Sequence, residues 1–149
     1  MDKKTLDRVI TAQQNEITEH LIYSKLAKSL KDNHNKEILQ KIADDEKRHY
    51  EFWKSISDRN VKPNMLKVYW FVFISRVFGV MFGLKLMEKG EELAQGLYEK
   101  INKKVKGVAP IIKDEQKHEN VILDMLKEEK VKYASSIVLG LNDALVELT

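Results

Sequence analysis

The sequence predicts an all-α protein, an antiparallel four-helix bundle with a long crossover between its second and third helices and a short apolar C-terminal tail. Three observations carry that prediction. Apolar residues recur at i, i+3 and i+7 through four long segments, the spacing of one helix face. Polar or Pro- and Gly-bearing breaks interrupt them at 32–35, 58–64 and 103–107. The pattern Asp-Glu-x-x-His occurs twice, at Asp45-Glu46-Lys47-Arg48-His49 and at Asp114-Glu115-Gln116-Lys117-His118, once in each half of the chain.

The first helix is expected from about Lys4 to Lys31, with the inner face Leu6, Val9, Gln13, Glu16, His20, Tyr23, Ala27 and Leu30. Glu16 stands where an apolar residue belongs. Asp32-Asn33-His34-Asn35 reads as a turn. A second helix follows to Ser57 with the face Leu39, Ile42, Glu46, His49, Trp53 and Ile56, apolar except for Glu46 and His49. Pro63 stops any helix before it. Met65 to Met87 is the most apolar stretch and reads as a buried crossover leading into the third helix, with Gly79 and Gly83 permitting a kink or close packing. Arg76 at its centre argues against a membrane span, which would also put the two motifs on opposite sides of a bilayer. The third helix continues to about Lys104 with the face Met81, Leu84, Glu88, Glu91, Gln95 and Tyr98. The fourth runs from Val108 or Pro110 to about Lys130 with Ile112, Glu115, His118, Ile122 and Met125 inward.

The two halves repeat one another. Glu16 precedes Tyr23 by seven residues, as Glu91 precedes Tyr98, and each pair is followed after a turn by Asp-Glu-x-x-His. Residues 1–133 therefore form one domain. Residues 134–149 are mostly apolar but too few to cross a bilayer, which takes about 20. With Lys127, Lys130 and Lys132 just ahead, they read as the start of a membrane segment cut short, with a capping helix as the alternative. The net charge of +3, with signs interleaved, gives no pull toward nucleic acid. The absence of cysteine excludes disulfides and thiolate metal sites and fits a cytoplasmic setting.

A carboxylate and an imidazole in a core stripe are costly unless compensated, and a metal ion compensates both. Four helices offer Glu16, Glu46 with His49, Glu88 or Glu91, and Glu115 with His118. One Glu from each of two helices plus a Glu-x-x-His from each of the others is the ligand pattern of di-iron and di-manganese carboxylate bundles. Hard carboxylates and imidazoles suit Fe or Mn, and Zn also fits the donor types. Bridging carboxylates can hold two ions roughly 3.5–4 Å apart.

On Glu16 with Tyr23, Glu46-x-x-His49, Glu88-x-x-Glu91 and Glu115-x-x-His118, residues 5–130 resemble the rubrerythrin branch of the ferritin-like proteins. The tail from Gly140 to Thr149, including Asp143, resembles the opening of the membrane domain of the vacuolar iron transporter family. Together they resemble membrane-bound ferritins. The resemblance implies a ferritin-like fold, two Fe ions, and a ferroxidase that oxidises Fe(II) with O2 or H2O2 in iron detoxification or export. It also implies a membrane-tethered cytoplasmic domain. A rubrerythrin-like peroxide reductase drawing on an external donor is one alternative, and a non-catalytic iron-sensing or iron-delivering domain is another. A homodimer through the apolar Tyr69–Phe82 segment is also expected.

Geometry adds one expectation. In antiparallel helices with Glu46 and Glu115 level, at ~1.5 Å rise per residue, Asp45 is nearer in height to His118 than to His49, and Asp114 nearer to His49. Ligating histidines commonly donate their second ring N–H to a carboxylate. The pairs should therefore cross, Asp45 with His118 and Asp114 with His49.

Overall fold

The computed structural model describes the backbone of residues 1–147 and the side chains of residues 1–88 and 96–140. Within them the chain forms five helices, α1 (Lys3–Ser29), α2 (Asn33–Ser57), α3 (Met65–Phe78), α4 (Val80–Asn102) and α5 (Ala109–Glu147). The all-α, ferritin-like helical bundle expected from the sequence is what forms.

Four of the helices make the bundle, and cross-links fix their directions. Asp45 reaches His118 and Asp114 reaches His49, so α2 and α5 run antiparallel. Tyr98 reaches Glu16 while Lys104 reaches Asp2, so α1 and α4 do too. The crossover is α3, which packs on α1 and α4.

Each helix start has a local cause. Asp2 caps α1 by accepting from the Thr5 amide at 2.8 Å, Asp32 caps α2 through the Asn35 amide at 3.0 Å, and Asn64 caps α3 through the Lys67 amide at 3.1 Å. Asp32 is thus the last residue before α2, and Asn33–Asn35, expected in a turn, form its first turn. Gln13 and Thr18 of α1 hold the link after α2. The Gln13 amide donates to the Arg59 carbonyl at 2.8 Å, and Thr18 Oγ1 accepts from the Asn64 amide at 2.9 Å.

One expectation, a break at Gly79 with close packing at Gly83, is met, and two need correction. The apolar stretch from Met65 is broken at Gly79, whose φ of +95° is a conformation that residues with a Cβ rarely adopt. The chain folds back there so closely that a Cβ on Gly83 would lie 1.9 Å from Ser75 Oγ. The crossover is only half buried. Val68, Phe71 and Ser75 face the bundle, whereas Leu66, Tyr69, Trp70, Phe73 and Val77 face outward. Finally, α5 does not stop near Lys130. No Gly or Pro interrupts the chain between Ile111 and Leu139, and the helix continues past the bundle with residues 131–140 exposed.

The core is in two parts. Ile22, Tyr23, Leu26, Leu39, Ile42, Leu84, Ile122 and Met125 belong to one cluster. Val9, Ala12, Trp53, Tyr98, Ile101, Val108 and Ile111 form the other. In sequence the polar residues Glu16, Glu46, His49, Glu115 and His118 fall between the members of these two clusters on their own helices.

Candidate metal centre

Glu16 of α1, Glu46 and His49 of α2, and Glu115 of α5 are all buried, and each brings a potential ligand atom within 4.8 Å of the others. His49 Nδ1 lies 3.0 Å from Glu115 Oε1, 3.4 Å from Glu46 Oε2 and 3.5 Å from Glu16 Oε2. His118 joins through Glu46, its Nδ1 lying 3.1 Å from Glu46 Oε1. Glu46 therefore turns one oxygen to each histidine, and the two rings stand 6.0 Å apart.

The donor atoms are unspent. Among the described residues, seven buried side-chain N and O atoms make no hydrogen bond. Five of them are Glu16 Oε2, Glu46 Oε2, His49 Nδ1, Glu115 Oε1 and His118 Nδ1. Buried polar atoms left in that state are costly, and their convergence is what a cation between them would relieve. Oxygen and imidazole donors without sulfur fit iron or manganese.

Electrostatics describe the metal-free cluster. Burial pushes the Glu46 and Glu115 carboxyls well above the usual range. For Glu46 the His49 ring works against this, while the charge on Glu16 adds to it; for Glu115 the charges on Glu46 and Glu16 add to it. Burial opposes ionisation of Glu16 as well, but the neighbouring His49 ring, with Glu46 and Trp53, holds this carboxyl below its ordinary value. Burial alone would lower His49, yet Glu115, Glu16 and Glu46 together raise it far above the ordinary histidine range.

The outer nitrogens are held as the crossed-pair argument requires. His118 Nε2 is 3.0 Å from Asp45 Oδ2, and His49 Nε2 is 3.3 Å from Asp114 Oδ2. Each aspartate fixes the ring of the opposite helix, so both Nδ1 atoms point inward. Asp45 is itself held by Arg48. Replacing Asp45 or Asp114 by Ala is expected to weaken metal binding about 10–100-fold. Titration with Mn(II), followed by its paramagnetic resonance signal, measures this, and an unchanged affinity in both variants would remove the aspartates from the site.

Glu16 has a second anchor. Its Oε1 accepts from Trp53 Nε1 at 2.9 Å and from the Tyr98 hydroxyl at 2.8 Å, leaving Oε2 for the cluster. Tyr98 was expected to bond a cluster carboxylate. Trp53 had been read as apolar core only, and the available signal was its place one turn beyond His49 on the same stripe.

Other expected residues fall elsewhere. Glu88 is buried, but its carboxylate pairs with Lys85 one turn away and is absent from the four-residue cluster. Glu91 lies outside the residues whose side chains are described. His20 bonds the Ala43 carbonyl at 2.7 Å, away from the cluster. Glu19 is buried and faces Lys67 of α3 at 3.6 Å.

Residues 7–74 match the rubrerythrin family model. That span holds Glu16, Glu46 and His49, and it ends before the second Asp-Glu-x-x-His and the tail. No curated protein and no solved structure matches the chain.

Proposed function

We propose, from the rubrerythrin-type half and the five converging donor atoms, that the protein holds two iron ions and oxidises Fe(II) with O2 or H2O2 in iron detoxification or export. The unspent, inward-facing oxygens and nitrogens of Glu16, Glu46, His49, Glu115 and His118 carry this reading. Glu46 would hold both ions, since one of its oxygens faces each histidine. Glu115 is its counterpart from the second repeat, and Glu16 is a terminal ligand. Glu91 stands in the second sequence repeat where Glu16 stands in the first and would complete the set. Glu88 joins only by leaving Lys85.

When bound, two Fe(II) supply two electrons, which with two protons reduce one H2O2 to two waters. The protein's own groups do the rest. Asp45 and Asp114 orient the imidazoles, and Trp53 and Tyr98 pin Glu16. The apolar clusters on either side keep bulk water from the carboxylates and strengthen their hold on a cation.

A second reading, a peroxide reductase, is favoured by the family match, and it would draw its electrons from a donor outside these residues. Stopped-flow mixing of the Fe(II)-loaded protein with O2 and with H2O2 separates the readings. Fast oxidation without a donor supports the ferroxidase. Repeated turnover only with an added reductase supports the peroxidase, and tight binding without oxidation leaves an iron sensor. A tether to a membrane domain belongs to the same proposal. It is supported by α5, which runs beyond the bundle with Val131, Tyr133, Ile137, Val138 and Leu139 exposed. No helix among the described residues is long and apolar enough to cross a membrane.

A further inference from the structure

A cleft of about 230 Å³ opens between α2 and α5 beside the candidate metal centre. Ile38, Lys41, Ile42 and Asp45 line it from α2, at the spacing of one helix face, and Lys117, His118 and Val121 line it from α5. His118 is one of the five converging residues, and Asp45 is the aspartate that holds its ring. Ile42 stands one turn, ~6 Å, before Glu46 on the same stripe of α2. The cleft therefore leads from the exposed Lys41 and Lys117 to within a turn of the carboxylate that faces both histidines.

The lining discriminates among the reactants. Its walls are the aliphatic side chains of Ile38, Ile42 and Val121. The carboxylate at its inner end is already engaged, with Asp45 Oδ2 held to His118 Nε2 at 3.0 Å and Oδ1 held by Arg48. Hydrogen peroxide gives up hydrogen bonds to water on entering such a space, and no free group there repays them. A dication is opposed by the two lysines and by the loss of its own hydration. Dioxygen carries no charge and has no hydrogen bonds to lose, so an aliphatic cleft favours it over water.

We infer that this cleft is the entrance for dioxygen, and that Fe(II) and H2O2 do not share it. The inference rests on the ferroxidase reading above and narrows its oxidant at this face to dioxygen. Val121→Trp, at a half-buried position, puts an indole into the cleft, and Ile38→Trp does so from the opposite wall.

Crystals of the metal-free parent pressurised with xenon, an apolar probe, should hold xenon between Ile42 and Val121, and crystals of the two variants should not. In solution each variant is expected to slow oxidation of bound Fe(II) by O2 about 10-fold, which is ~1.4 kcal/mol on the entry barrier. Oxidation by H2O2, the Mn(II) affinity and the Mn(II) association rate should stay at parental values. Val131→Trp, on the exposed part of α5, should alter none of these. Parent crystals without xenon in the cleft overturn the inference. So does an O2 rate that the tryptophans leave unchanged, or a slowing shared equally by H2O2 or by Mn(II) binding. A parent chain that binds metal at this centre yet does not react with O2 overturns the ferroxidase reading itself, and the inference with it.

Discussion

Glu46→Gln and Glu115→Gln are each expected to abolish paired-metal binding while leaving the fold intact. Both carboxyls are pushed toward the protonated form by burial in the metal-free protein, and glutamine copies that form in size and neutrality. Stability without metal should therefore stay within about 0.5–1.5 kcal/mol of the parent chain. Metal binding should change far more. Among the described residues Glu46 turns an oxygen toward each histidine, so its loss separates the two half-sites. The affinity loss should exceed the ~10–100-fold typical of the outer aspartates. Metal titration with elemental analysis checks the result. Two irons per chain at parental affinity in either variant would mean that the repeats do not share a site.

The second large effect is a reversal of the pH dependence of stability by metal. Unfolded carboxyls titrate near 4.3 and unfolded histidine near 6.5. The folded Glu46, Glu115 and His49 all titrate higher. They bind more protons folded than unfolded, so the stability they contribute is present at low pH and is lost as pH rises through the folded values. Glu16, shifted down, works the other way and loses its contribution only as pH falls through its lowered value. Glu16, ionised both folded and unfolded above about pH 5, adds no slope there, so the three raised groups make the metal-free bundle less stable from about pH 5 upward. Metal must displace the same protons, so its affinity and stabilisation grow with pH. At about 1,000 times the dissociation constant a ligand contributes ~4 kcal/mol, and a chain of this size shifts by roughly 2–4 °C per kcal/mol. Mn(II), which does not turn over, should therefore raise the melting temperature by roughly 8–16 °C near pH 7.5 and much less near pH 5.5. Scanning calorimetry across that range checks it. Equal slopes with and without Mn(II) would mean that the cluster is not the binding site.

Much of this was legible in the residues. Glu46, His49, Glu115 and His118 stand out because charged groups interrupt otherwise apolar helix faces. The crossed aspartate pairs follow from helix rise and antiparallel direction alone. What escaped was set by contacts between elements. Glu19 is off the inner stripe of α1, yet it is buried and faces Lys67 of α3. Trp53 looks like any core aromatic until α1 brings Glu16 to its indole N–H. The exposure of α3 could not be read from composition, since an apolar run looks the same whether the bundle or a partner covers it. Glu88 fits the inner spacing of α4, yet Lys85, three residues earlier, takes its carboxylate.

The most direct test of the metal-centre account is anomalous scattering from crystals grown with Fe(II) under anaerobic conditions, with data on both sides of the iron edge. The account predicts two iron peaks roughly 3.5–4 Å apart, with Glu46 and Glu115 between them and one histidine Nδ1 on each. A single peak outside this cluster, or no peak while Asp45–His118 and Asp114–His49 remain in place, would contradict it.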